Sequence, residues 1–141
     1  MTKKEVSLPE LKTYIDGALC DDVDLLNYYD KGEHIDTILE ACENIFQKIK
    51  HNYPDAKLFG IEDSGVPIGY FVGSGTILVS FGISLGYRNK DSLAEFWGYI
   101  KQVMGSGFQS IIYSYNDRAL GFLKKCGMDI IFDNVTVLQY N

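Results

Sequence analysis

Asn116 opens the stretch whose residue types and spacing bear most directly on chemistry: Tyr113-Ser-Tyr115-Asn116-Asp-Arg-Ala119-Leu-Gly-Phe122-Leu123-Lys-Lys-Cys126-Gly127-Met128. An apolar strand over 108–115 runs into a short helix that begins at Asn116 and is stopped by Gly127. Asn is a favoured N-cap, and Gly is favoured just past a helix end. Ala119, Phe122 and Leu123 form one apolar face of that helix. Tyr113 and Tyr115 bring phenols to the end of the strand, where a general acid could stand. The chain has ten tyrosines, so a core or surface role competes for both. His34 and His51 flank a long helical stripe with no partner for a proton relay, and read as surface or capping residues. Cys126, beside Gly127, reads as an apolar filler rather than a nucleophile. Glu62-Asp63 stand before a turn, where acidic residues are common.

Composition narrows the classes of partner. The chain has 141 residues, enough for one domain over 1–141 with its own core. Its formal charge of −6 excludes wholesale contact with a nucleic-acid backbone, which takes clustered Lys and Arg. The adjacent basic pairs, Lys3-Lys4 and Lys124-Lys125, read as solvated faces. No apolar window approaches the roughly eighteen residues of a membrane span, so no membrane partner is expected. Three widely spaced cysteines and an N-terminus without an apolar leader point to reduced thiols in a cytoplasm-like compartment. With only two histidines, they give no metal-ligand spacing, and no metal is expected.

The elements that must position these residues follow from periodicity. Ser7-Leu-Pro-Glu10 has the form of a capping box, and Leu8, Leu11, Ile15, Ala18 and Leu19 then repeat at helical spacing. The acidic run 21–24 reads as a break. A second helix carries Ile35, Ile38, Leu39, Cys42, Ile45, Phe46 and Ile49 on one stripe, and Tyr53-Pro54 ends it. From Lys57 the period becomes strand-like. Segments 57–62 and 66–72 flank the hairpin signal Asp63-Ser64-Gly65, and Gly73-Ser-Gly75 turns the chain into a strand over 76–85. A third helix over about 92–104 carries Leu93, Phe96, Trp97, Ile100 and Val103 on one face, with Ser92-Leu-Ala-Glu95 as its own capping box. The strand over 108–115, a helix over 117–126 and a terminal pair, 129–132 and 135–140, about Asp133-Asn134 complete the chain. Periodicity alone implies an α+β or α/β protein with a mixed sheet. A strand over 2–6 is a weak candidate.

The run from Asn116 to Met128 resembles the second half of the acyl-coenzyme A site of the GNAT acyltransferase superfamily, where Asn-x-x-Ala-x-x-Phe/Leu-Tyr-x-x-x-Gly-Phe follows the fifth strand. The order of elements is similar to that family over nearly the whole chain. The resemblance implies a GNAT-like fold, a central mixed, mostly antiparallel sheet flanked by helices, and acetyl-CoA as the cofactor. It also implies a loop Arg/Gln-x-x-Gly-x-Gly/Ala before the third helix, whose glycines let backbone N–H groups approach a pyrophosphate. Here that loop is Arg88-Asn89-Lys90-Asp91-Ser92-Leu93, so Arg88 matches and Asp91 and Leu93 stand where glycines are expected.

The coenzyme residues implied by the resemblance are Phe81 and Ile83 beside the pantetheine arm, Arg88 and Lys90 on the phosphates, and Asn116 along the coenzyme. No catalytic residue is assigned. The stretch 76–85 holds no Asp or Glu; Ser80 and Ser84 could align water; and Leu123 stands where the family often has a Tyr acid. Two functions remain open: a divergent acetyl-CoA-dependent N-acetyltransferase, or an inactive GNAT scaffold that binds protein partners. The second resembles the small GNAT-like proteins of tailed bacteriophages, which implies a virion component.

Overall fold

The computed structural model describes residues 1–28, 34–113, 116–132 and 136–140. Within them one seven-stranded sheet has the order β1-β2-β3-β4-β5-β7-β6. Its strands are β1 (Thr2–Glu5), β2 (Lys57–Asp63), β3 (Val66–Ser74), β4 (Ile77–Ile83), β5 (Gln109–Ile112), β6 (Asp129–Phe132) and β7 (Thr136–Gln139). Helices α1 (Leu8–Leu19), α2 (Ile38–Asn52), α3 (Lys90–Met104) and α4 (Asp117–Lys125) flank it. All ladders are antiparallel except β4 with β5.

Strand alternation sorts the core into two layers. Tyr70 and Val72 of β3 pack with Leu11, Tyr14, Ile15 and Ala18 of α1 and with Ala41, Cys42 and Ile49 of α2. Phe71 points the other way, into Phe96, Trp97 and Ile100 of α3 and Leu123 of α4. Phe71 stacks on Phe59, its register partner in β2, at 4.9 Å between ring centroids. Glycines let α1 lie unusually close to the sheet. A Cβ on Gly60 would stand 2.5 Å from the Tyr14 ring, and one on Gly17 would stand 2.3 Å from the Pro67 carbonyl oxygen.

Local signals largely act where the sequence places them. Ser7 and Glu10 form the reciprocal capping box of α1. Ser64 and Gly65 both take positive φ, 51° and 81°, as a two-residue hairpin turn of the primed type requires. Four expectations change. The poor strand candidate at the N-terminus does form: Thr2–Glu5 pairs with β2 as an edge strand, where its lysines suit a side open to water. Gly73 lies within β3 rather than in the turn, and the space of its missing side chain is taken by the Met104 sulfur. Helix α3 starts earlier than the Ser92 box predicts, because the Asn89 side chain accepts from the Ser92 N–H at 2.9 Å and caps it. Leu39 is 67% exposed, and Ala41 joins the expected Cys42 on the buried side of α2. The Asp133-Asn134 turn lies outside the described residues.

Candidate functional site: a cleft at the fork of the sheet

Parallel pairing of β4 with β5 lasts for only two register pairs, Ile77 with Gln109 and Leu78 with Ser110. At the second pair the buried Ser110 hydroxyl donates to the Leu78 carbonyl at 2.9 Å. The register of β3 against β4 slips there too, since Val72 faces Ser80 while Gly73 faces Leu78. Val79 is therefore the extra residue of a bulge, which bends a strand and raises its twist. Past this point β4 stays with β3 while β5 stays with β7, and the two strands part.

The fork holds a cleft of about 810 Å³ that passes through the sheet. Phe81, Ile83, Leu93, Phe96 and Phe122 give it apolar walls on the α3/α4 side. Tyr28, Asn44, Ile45, Lys48 and Tyr53 line it on the α2 side. Phe81 on β4 and Phe122 on α4 meet across it at 5.7 Å between ring centroids. Among the described residues, the Asn44 Oδ1 atom is buried against this cleft without a hydrogen-bond partner.

Four of the five residues named from the sequence, Phe81, Ile83, Arg88 and Asn116, line the cleft. Lys90, the first residue of α3, is exposed and does not line the cleft. Asn116 accepts from the Ala119 N–H at 3.3 Å and so caps α4. Arg88 donates from Nε to the Ile83 carbonyl at 2.9 Å and from Nη2 to Asp22 Oδ2 at 3.0 Å. Arg118, in the first turn of α4, grips the same carboxylate through Nη1 and Nη2 at 2.9 and 2.8 Å. Its guanidinium lies over the Tyr28 ring, 4.2 Å from the centroid.

Asp22 and Arg118 are the residues that sequence reasoning missed. Asp22 sits in an acidic run that reads as a helix break, yet it is fully buried. Burial pushes its pKa up, but hydrogen bonds from Arg118 and Arg88 outweigh that and hold the carboxyl below its usual range. A carboxylate so stabilised is a poor general base.

The hydroxyls and thiols are occupied in other ways. Ser80 lines the cleft and pairs with the buried Tyr70 hydroxyl at 2.8 Å, whereas Ser84 donates to Asp21 at 3.0 Å. Tyr113 reaches the cleft, and Tyr115 lies outside the described residues. Leu123 is fully buried in the core. Burial pushes the Cys126 thiol up to about 11, which keeps it protonated at neutral pH. His51 Nδ1 lies 2.7 Å from the Gln47 carbonyl oxygen one turn back on α2. Among the described residues no cluster of His, Cys, Asp or Glu could hold a metal, and no helix is long and apolar enough to cross a membrane.

Solved acetyltransferases match the fold of this chain nearly end to end. The PaiA N-acetyltransferase of Thermoplasma acidophilum, in complex with coenzyme A, is 16% identical; the match covers 100% of this chain and 99% of that one, with a TM-score of 0.61. The chain has the GNAT fold. A GCN5-related N-acetyltransferase from Rhodopseudomonas palustris matches with a TM-score of 0.66 at 13% identity, over 99% of this chain and 94% of that one. An acetyltransferase from Thermus thermophilus also gives 0.66, at 15% identity over 99% and 96%. No protein-family model matches the chain, and no curated protein matches its sequence. At such identities the likeness shows the GNAT scaffold, and the site has to be argued from the residues it holds.

Proposed function

We propose that the cleft takes an acyl-coenzyme A and that the chain is a divergent N-acetyltransferase-like protein. The parting of β4 from β5 carries this reading. Beyond Leu78, β4 has no ladder partner on β5 among the described residues, so its backbone is open to an extended arm, with Phe81 and Phe122 beside it. These apolar walls fit the pantetheine arm and the acyl group. The phosphate end fits less well as arranged, because Asp22 engages Arg88, and Asp91 and Leu93 occupy the first turn of α3 in place of glycines. A bound acyl-CoA would supply an activated thioester carbonyl. The chain's own side chains bind and shield it from water, and Tyr113 is the cleft phenol best placed in sequence to hold a proton.

A second reading has its own support. With Asp22 ionised between two arginines and Leu123 in place of a phenol, the described residues of the cleft hold no poised acid–base pair. The fold could then serve as an inactive, protein-binding scaffold, such as the virion component that the phage resemblance implies. Calorimetric titration with acetyl-CoA separates the two. A dissociation constant in the micromolar range, about −8 kcal/mol, supports the coenzyme reading. No heat at millimolar ligand overturns it and leaves the scaffold. Asp91→Gly combined with Leu93→Gly should tighten acetyl-CoA binding if the rest of the cleft is intact.

A further inference from the structure

Arg88 and Arg118 reach the cleft from different elements and converge on one carboxylate. Asp22 is 1% exposed at its side chain, whereas Arg88 and Arg118 are 26% and 31% exposed, so the arginines remain accessible along the cleft wall. Two positive charges face one buried negative charge, which leaves the cluster with a net positive charge. The hydrogen bonds to Asp22 and Ile83 use fewer N–H donors than two guanidinium groups carry. Each arginine also has an anchor independent of Asp22: the Ile83 carbonyl for Arg88 and the Tyr28 ring for Arg118. The pair therefore has the means to keep its place when Asp22 loses its charge. Lys48 and Lys125 line the same cleft and add to the positive field, while Asp117 opposes it.

We propose that Arg88 and Arg118 together form an oxyanion site in the cleft, for a ligand carboxylate or phosphoryl group, and that the Asp22 carboxylate is its resident competitor. Guanidinium groups bind both anions through paired N–H bonds, as Arg118 already binds Asp22. The sequence pairs Arg88 with Lys90; the fold pairs it with Arg118, which comes from the far limb of the sheet. The site rests on the coenzyme reading only for which molecule delivers the oxyanion: the phosphates of a coenzyme or the carboxylate of an acceptor.

The test uses the full chain at low ionic strength, where charge pairing is least screened. Inorganic pyrophosphate and succinate are titrated separately into the unaltered protein, Asp22→Asn, Arg118→Gln and the double variant. Removing the competing charge in Asp22→Asn should tighten pyrophosphate about tenfold, and Arg118→Gln should weaken it by about the same factor. The double variant should lose the gain. Equal or weaker binding by Asp22→Asn overturns the competitor role, and unchanged binding by Arg118→Gln overturns the site. If circular dichroism shows Asp22→Asn unfolded, Arg118→Lys decides. It keeps the charge without the planar fork and should fall between the unaltered protein and Arg118→Gln; binding equal to that of Arg118→Gln would overturn the site.

Competition then assigns the source. Displacement of pyrophosphate by acetyl-CoA supports the site with the coenzyme as its ligand. Simultaneous binding of acetyl-CoA and succinate supports it with an acceptor carboxylate. Pyrophosphate binding as described with no acetyl-CoA binding overturns the coenzyme reading and leaves the oxyanion site standing.

Discussion

From β1 to β4 the sheet is a run of adjacent antiparallel strands, with seven residues in β2, nine in β3 and seven in β4, and α1 pressed onto it through glycines. Strands β5, β6 and β7 beyond the fork have four residues each. They leave Ile111, Ile130 and Ile131 between 40% and 44% exposed. The first limb is a packed platform in which most side chains have neighbours on every side. The second is a thinner wall whose main task is to bound the cleft. A substitution of equal size should therefore cost very different amounts on the two sides, and Asp22 with Arg118 is an ionic tie between them.

The largest contrast comes from the cores. Phe71→Ala in the platform should cost about 4 kcal/mol, whereas Ile111→Ala in the wall should stay within about 0.5 kcal/mol. Urea unfolding measures both, and a large cost at Ile111 would break the comparison by showing that the wall is covered. Next comes the tie: Asp22→Ala strands two arginines and should cost about 3 kcal/mol.

The same residue sets an acid dependence. The Asp22 pKa is lowered by folding, so its contribution is fully present above the unfolded value of about 4 and is lost as pH falls through the folded value. Thermal melts between neutral pH and pH 3 should show this loss in the unaltered protein, and a shallower one in Asp22→Asn. Gly60→Ala drives a methyl into the Tyr14 ring and should cost about 2 kcal/mol, a direct measure of how tightly α1 sits on the platform. Smallest is Asn116→Ala, which removes the cap of α4 in the wall for about 1 kcal/mol. Its effect on acetyl-CoA binding, measured in parallel, sharpens the contrast by separating capping from ligand contact.

What could be read from the sequence was local. The Ser7–Glu10 box, the Ser64-Gly65 turn and the Asn116 cap involve partners within three residues, and all three form. The fork has no signature in periodicity, because apolar strands read alike whether they pair or part. Asp22 was illegible for a different reason. Its partners lie 66 and 96 residues away, and nothing in a run of acidic residues distinguishes the one that is buried. Arg88, on the resemblance's Arg position, does line the cleft, whereas Lys90, the first residue of α3, is exposed outside it. Leu39 shows the limit of stripe counting: Cys42 is buried as the stripe has it, but Ala41 joins it and Leu39 does not.

The Ser110 hydroxyl on the Leu78 carbonyl ends the shared seam between the limbs, and past that stitch the strands exchange no ladder bonds among the described residues. A gap made this way differs from one pried open between paired strands. Spreading it would part the ring contacts of Phe122 with Phe81, Phe96 and Trp97 and the guanidinium grip on Asp22. The aperture is thus closed by side-chain contacts rather than by ladder bonds.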